Sequence, residues 1–289
     1  MFIIITGLLL GGTYALIAMG LNLQYGVARI MNLANGEILV AGGLAAFWVY
    51  TAGQVSPILA LFLVAPVAFA VNWLLYRIML EPLVLRAKSR GALEVDSILA
   101  TFGLSFIMIG IALMIYGGGY FNYSYLSTRV QIFDSSFALN RVVAFALAAL
   151  IALALWLWLS FTRPGMTLRA VAVSPENARL VGIDVRRVSA LAFALGGAIT
   201  AMGGALISMF VTLDASTDGV IFTMKALIIV IMGGVGDIRG TVIAALLLGI
   251  AETAVGALIS PGLTLAAAYV LFLLVLLFRP QGLFGRTTL

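Results

Sequence analysis

The sequence predicts an all-α, polytopic transmembrane helical bundle, because its composition is far too apolar for a soluble domain. Of the 289 residues, 63% are hydrophobic and 9% are charged, whereas about a quarter of the residues in soluble domains are charged. The mean hydropathy is +1.19. A helix needs about 20 apolar residues to cross the hydrocarbon core of a bilayer. Charge-free runs of that order occur at 1–28, 38–76, 97–128, 142–162, 188–213 and 253–278.

Glycine and proline turn signals divide these runs into eight or nine spans of a single transmembrane domain, 1–289. Two of the spans are irregular, so the number of spans can be read as eight or as nine. We expect spans near 3–24, 27–50, 57–80, 98–116, 142–162, 188–212, 220–235, 240–258 and 262–279.

Lysine and arginine indicate which loops face the cytoplasm, because cytoplasmic loops carry an excess of both. They cluster at 77–96 and 163–187 and recur in the tail, whereas the Tyr- and Ser-rich stretch 117–141 holds only two of them. We therefore expect 81–97, 163–187 and 280–289 to lie inside and 117–141 outside. The N-terminus is then outside and the C-terminus cytoplasmic.

The segment 26–43 contains polar residues that interrupt the second span, including Asn32, Asn35 and Glu37. About 13 apolar residues follow Glu37, roughly 20 Å of helix, which is shorter than the bilayer core. Two interpretations remain open. The segment is a broken helix that starts partway into the membrane, or 26–37 is a cytoplasmic loop.

A second irregular segment, 219–240, contains Lys225 and the glycine-rich stretch GGVGDIRG. Non-helical backbone at membrane depth is tolerated only inside protein or along a wet cavity, and paired interrupted segments point to a transport path. The residues that we expect to line this path lie in the first irregular segment and on the fourth span: Asn32, Asn35, Glu37, Thr101 and Ser105.

Two further charged residues, Lys225 and Glu252, lie within or beside apolar runs. Charges inside a membrane are costly and often functional. The simpler interpretation, which we favour, is a structural ion pair that holds two helices together. A proton-driven carrier typically needs a longer chain of buried acids or histidines.

The sequence gives no support to an enzyme. It contains no Cys and no His, which excludes disulfides, thiolate chemistry and His-based triads. Neither of its lysines, Lys88 and Lys225, follows a glycine as a Walker A nucleotide-binding loop requires. We expect no catalytic residue, no metal and no cofactor on this chain, and we ascribe its basic residues to membrane topology and not to nucleic-acid binding.

The stretch SPENARLVGIDVRR, 174–187, concentrates charge between two apolar runs and predicts a short capped helix over 175–181. A serine N-cap, a proline at the first helical position and an acid in the first turn favour its start. A glycine favours its end, and an aspartate caps the next span. The residues that carry this prediction are Ser174, Pro175, Glu176, Gly182 and Asp184. Such a helix either docks a soluble partner or lies on lipid headgroups.

These motifs resemble the permease subunits of branched-chain amino acid ABC importers. The resemblance lies in GGTYALIAMGLNLQYGVARIMNLANGEILVAGG near the start, in RAVAVSPENARLVGIDVRRVSALAFALGGAITAMGGAL, in GGVGDIRGTVIAALLLGIAE and in the tail LLFRPQGLFG. It covers nearly the whole chain and departs at Asn35, where many relatives carry histidine.

The resemblance implies that 163–187 is a cytoplasmic coupling loop, in which Glu176, Asn177 and Arg179 contact an ATPase. It implies a bacterial inner-membrane complex with a second permease subunit, homologous or identical, and two cytoplasmic ATPases that bind Mg-ATP. It further implies a periplasmic substrate-binding protein and a lipid environment.

Other functions stay open at this stage. Relatives of these permeases also carry urea, amides and other small polar solutes. An ion-coupled carrier or a channel is the alternative from a different class, and the dependence of uptake on ATP distinguishes the two classes. An intramembrane enzyme is disfavoured because its nucleophile motifs are missing.

Overall fold

The computed structural model describes residues 1–87, 89–132 and 135–285. Lys88 and Arg286, two of the basic residues counted above for the cytoplasmic side, lie outside these residues. Within them the chain is a bundle of helices with two short antiparallel strand pairs.

The helices follow one another along the chain with short connections, apart from the loop between the fifth and sixth. The α-helices are α1 Phe2–Leu23, α2 Asn35–Gly53, α3 Pro57–Leu75, α4 Glu81–Arg86, α5 Arg90–Tyr116, α6 Leu139–Phe161, α7 Arg163–Val173, α8 Pro175–Leu180, α9 Val185–Ile207, α10 Asp218–Gly233, α11 Ile238–Leu258 and α12 Thr264–Phe278. The strands are β1 Tyr120–Phe121, β2 Arg129–Ile132, β3 Ser135–Ala138 and β4 Leu213–Asp214.

Among the described residues, eight helical stretches are long and apolar enough to cross a membrane. They begin at Phe2, Asn35, Pro57, Gly91, Leu139, Val185, Ile238 and Pro261. The predicted span 220–235 forms α10, which has only 16 residues and is not one of the eight. The predicted bundle of eight or nine spans with interrupted helices is therefore confirmed.

Several helix boundaries differ from the prediction. The second span begins at Asn35 and not at 27, and it includes Glu37, so that α2 has 19 residues and exceeds the expected short half-helix. The helix that carries the fourth span, α5, begins at Arg90 and not at 98, because Ser89 caps it by accepting a hydrogen bond from the Ala92 N–H. The first residues of this helix were predicted to belong to the cytoplasmic loop 81–97, because basic residues cluster there.

α9 and α1 are the two most buried of the spans, and α1 packs extensively against both α9 and α11. Small residues let these helices approach closely, which is the usual basis of helix association in lipid. A Cβ atom added to Gly249 of α11 would lie 2.6 Å from the Cα atom of Gly11 of α1. The Asn22 side chain also bridges α1 to α11, since its Nδ2 donates to Thr241 Oγ1 over 2.6 Å.

One end of the bundle, which we call the hairpin end, carries both strand pairs. β2 pairs with β3, and β1 pairs with β4. Tyr123 and Ser208 share a hydrogen bond of 3.0 Å that joins the loop between α5 and α6 to the end of α9. The backbone N–H and the hydroxyl of Ser216 donate to the Asp214 carboxylate and hold the pKa of Asp214 below its ordinary value.

The opposite end, which we call the α8 end, carries α7, α8 and the tail. The tail binds to the last turn of α10, because the Leu283 N–H donates to the Met232 carbonyl over 2.7 Å and the Phe284 N–H to the Gly233 carbonyl over 3.2 Å. These bonds satisfy carbonyls that a helix end otherwise leaves unpaired.

Candidate functional site

The first turns of α2 and α10 meet inside the bundle. A Cβ atom added to Gly36 would overlap the carbonyl oxygen of Gly219, so the two backbones are in direct contact. The Gly36 N–H donates to Thr223 Oγ1 over 2.8 Å, and this hydroxyl lies 2.9 Å from the Gly219 carbonyl. Two interrupted segments that are far apart in sequence are thus joined at one point.

Glu37 lies at this junction and is only 4% exposed. Ser105 of α5 donates a hydrogen bond of 3.2 Å to Glu37 Oε1. A Cβ atom added to Gly219 would overlap the Glu37 carboxyl group, which therefore rests on the first turn of α10. Helix N-termini favour negative groups, so the fold offers this buried acid a favourable position.

An apolar groove of about 190 Å³ begins beside this acid. Ile38, which follows Glu37 on α2, and Met108, one turn beyond Ser105 on α5, both line it. The remaining lining residues are mostly small or aliphatic side chains of α2, α3 and α9. The groove and the polar junction therefore involve neighbouring residues of α2 and α5.

Asn32 and Asn35 are fully buried, and hydrogen bonds hold both within the bundle. Asn32 Nδ2 donates to Gln24 Oε1 over 3.0 Å, and Asn32 Oδ1 accepts from the Ala34 N–H over 3.0 Å. Asn35 Oδ1 accepts a 3.0 Å hydrogen bond from Thr200 Oγ1 of α9. Protein therefore largely encloses the segment between α1 and α2, a condition that non-helical backbone would have to meet if it lay at membrane depth.

Thr101 is also fully buried and fastens α5 to the same segment. Its hydroxyl oxygen accepts from the Leu33 N–H over 3.1 Å and lies 2.7 Å from the Ser97 carbonyl. The structure thus brings the five residues predicted to line a pathway into one buried polar region around residues 31–37.

Sequence reasoning missed three residues of this region, Gln24, Thr200 and Thr223. All three are buried and hydrogen-bonded to the segment 30–36 or to its asparagines. Each is a polar residue within an apolar run, and this was the signal in the sequence that could have identified it.

Three other residues, Lys225, Glu252 and Tyr14, form a second buried cluster. Lys225 Nζ lies 2.9 Å from Glu252 Oε2 and 2.8 Å from the Tyr14 hydroxyl.

At the α8 end, the predicted short helix is present as α8. Ser174 Oγ accepts from the Asn177 N–H over 3.3 Å, and Gly182 adopts a left-handed backbone conformation with φ +83°. Asp184 caps α9 by accepting from the backbone N–H groups of Arg186 and Arg187 over 3.1 and 3.2 Å.

The tip of this helix projects from the protein. Glu176, Asn177 and Arg179 are exposed, and Leu180 and Val181 expose 85% and 74% of their surface. Ala178 alone of the helix packs into the core. The arrangement is a capped knob whose outer surface combines charged and apolar side chains.

Residues 3–279 match the family described as branched-chain amino acid transport system / permease component. The chain belongs to this family. The permease is 29% identical to the high-affinity branched-chain amino acid transport system permease protein LivH of Salmonella typhimurium, over 97% of this chain and 94% of that protein. It is 28% identical to the corresponding BraD protein of Pseudomonas aeruginosa, over 98% and 95%. The ribose import permease protein RbsC of Haemophilus influenzae is 28% identical, over 84% and 74%.

The chain is therefore a multi-pass inner-membrane permease subunit of an ABC importer. Such subunits are not enzymes, since separate subunits hydrolyse ATP. Membership of an importer system also implies ATPase and substrate-binding partners.

Proposed function

We propose that this permease forms the translocation pathway for branched-chain amino acids. The observation that carries this choice is the match to LivH and BraD over nearly the full length of both chains. The match to the ribose permease covers less of either chain. Leucine, isoleucine and valine are zwitterions with apolar side chains, and passage of such a solute requires polar contacts beside an apolar wall.

The junction of α2 and α10 supports the position of this pathway. Glu37 and Ser105 offer polar groups, and the groove that starts at Ile38 and Met108 offers the apolar wall. Asn32, Asn35 and Thr101 shape the pathway indirectly, because their side chains hold the segment 30–36 in place. Tight binding would trap the solute in the pathway, so weak binding through a few polar contacts suits transport.

The α8 knob supports coupling to ATP hydrolysis. A force generated on another subunit must be transmitted through a rigid element, and α8 is short, capped and exposed. In this proposal Ser174, Pro175, Gly182 and Asp184 set the shape of the loop. Glu176, Asn177 and Arg179 contact the ATPase groove.

The sidedness and the subunit composition follow from this assignment. The α8 end and the C-terminus face the cytoplasm, and the hairpin end faces a periplasmic binding protein. The complex contains a second permease, homologous or identical, and two ATPases that bind Mg-ATP. This chain contacts lipid, holds no cofactor and binds no nucleic acid.

Uptake by a reconstituted complex tests the substrate. Proteoliposomes that contain this chain, its sister permease and both ATPases, with the binding protein added, are expected to accumulate labelled leucine only when ATP is enclosed with the ATPases. Unlabelled isoleucine and valine should compete, whereas urea and ribose should not. Competition by urea or ribose alone, or uptake without ATP, would contradict the proposal.

A further inference from the structure

A cavity of about 460 Å³ opens at the hairpin end, between α1, α11 and α12. Its mouth is formed by residues at the starts of α6 and α12 and by the connection after α9, including Arg141, Phe210 and Thr264. Its inner wall carries Lys225 and Glu252. A volume of this size is in the usual range for small-molecule sites.

Two polar atoms on this wall have no hydrogen-bond partner among the described residues. They are Oε1 of Glu252, a residue that is 3% exposed, and Oγ1 of Thr6. The other carboxyl oxygen, Oε2, is occupied, since Lys225 Nζ and the Tyr14 hydroxyl both donate to it, over 2.9 and 3.0 Å. A buried acceptor without a donor is costly, so a ligand N–H group that reached this oxygen from the cavity would supply the missing hydrogen bond.

The charges around the cavity favour a ligand that also carries a negative group. Lys225 and Glu252 neutralise each other within the pair. Arg141 lies at the mouth and its guanidinium group faces the Phe210 ring at 5.7 Å. An arginine is well suited to bind a carboxylate. The side chains of Leu9, Leu10 and Ala257 supply apolar surface between the two polar regions.

We propose that this cavity binds an α-amino acid as its zwitterion. The ammonium group donates to Glu252 Oε1 and Thr6 Oγ1, the carboxylate faces Arg141, and an apolar side chain packs on Leu9 and Leu10. The proposal deepens the function proposed above and relies on it for the choice of leucine as the probe. It places an amino acid site at the hairpin end, apart from the junction at Glu37.

Direct binding to the membrane complex tests the site without requiring transport. The complex of this chain, its sister permease and the ATPases, in nanodiscs and without the binding protein, is incubated with radiolabelled leucine. We expect saturable binding that Ala257→Phe abolishes by filling the cavity. Thr6→Val should weaken it about tenfold, because a hydrogen bond to a charged group is lost. Both variants leave the Lys225–Glu252 pair intact. Glu81→Gln, a substitution far from the cavity, is the control and should bind as the wild type does.

Competition identifies the chemistry of the ligand. Unlabelled leucine should displace the label, whereas 4-methylpentanoate, which lacks the ammonium, and isoamylamine, which lacks the carboxylate, should not. An absence of saturable leucine binding to the wild-type complex would overturn the proposal, and so would wild-type affinity in both cavity variants. Displacement of the label by 4-methylpentanoate or by isoamylamine would overturn it as well. Uptake by the same variants in proteoliposomes tests the proposed function separately. Normal leucine uptake together with wild-type binding affinity in both variants would rule out the site and leave the proposed function unaffected.

Discussion

Ser105 Oγ donates to Glu37 Oε1 over 3.2 Å and so joins α5 to the first turn of α2, at the point where α2 also contacts α10. Three helices therefore meet at one buried carboxyl group. In a chain with few charges inside its spans, this position is the strongest candidate for contact with a polar solute in transit.

Glu37→Gln is expected to reduce transport and to preserve assembly. The amide has nearly the same shape as the acid and keeps an oxygen for Ser105, but it lacks the charge that attracts an ammonium group. We expect the initial rate of ATP-dependent leucine uptake to fall about tenfold or more, as the loss of a charge-assisted contact implies. Gel filtration should show an intact complex. Wild-type uptake by this variant would remove Glu37 from the pathway.

Gly219→Ala is expected to destabilise the permease. The added methyl group would overlap the Glu37 carboxyl group, and overpacking of this kind costs about 1–3 kcal/mol. Thermal unfolding in detergent should show a lower midpoint than the wild type. Gly110→Ala on α5 is the matched control, because none of the other segments that the structure describes lies within 4 Å of a Cβ atom there. Equal midpoints for the two variants would show that α2 and α10 are not in the close contact described.

Removing one partner of the Lys225–Glu252 pair is expected to cost more than removing both. Lys225→Met leaves a buried carboxylate without its cation, which typically costs about 3–5 kcal/mol. The double variant with Glu252→Gln should recover most of the loss. Unfolding midpoints of the two single variants and the double variant form a double-mutant cycle. Additive effects would contradict a pairing that stabilises the fold.

Cysteine labelling tests the sidedness cleanly because the chain has no native cysteine. Ser124→Cys at the hairpin end and Leu180→Cys on α8 both place a thiol at an exposed position. An impermeant maleimide added to cells with a permeabilised outer membrane should label the first variant, and the second only after lysis. The reverse pattern would invert the proposed topology.

Much of the fold could be predicted from the sequence, because the bilayer forces long apolar helices and tolerates few other structures. The start and end of α8 and the cap of α9 could also be predicted, since Ser174, Gly182 and Asp184 act on their immediate neighbours in the sequence. α7 was missed, although Thr162 and Pro164 form the same kind of helix start, and Thr162 Oγ1 indeed accepts from the Gly165 N–H.

The junction of α2 with α10 could not be predicted. Gly36 and Gly219 are 183 positions apart, and neither local propensity nor hydropathy specifies which interrupted segments meet. Thr200 and Thr223 were overlooked for the same reason, because each is an ordinary helical residue until a partner from another segment reaches it. The two strand pairs are too short to leave a periodic signal.

Gly182 provides a test of the coupling helix. Its φ is +83°, and no other part of the described chain comes within 4 Å of a Cβ atom at this position. Valine there meets no steric clash with neighbouring segments, but a side chain in this backbone conformation costs roughly 1 kcal/mol or more and would redirect α8. Gly118→Val at the hairpin end, also in open space but without a positive φ, is the matched control.

The most direct test of the account measures ATP hydrolysis and leucine uptake together in the same proteoliposomes, for the wild type, Gly182→Val and Gly118→Val. We expect substrate-loaded binding protein to stimulate hydrolysis and to drive uptake in the wild type and in Gly118→Val. In Gly182→Val we expect an assembled complex in which stimulation and uptake are both lost. Normal stimulation and normal uptake in Gly182→Val would contradict the claim that α8 links this permease to ATP hydrolysis.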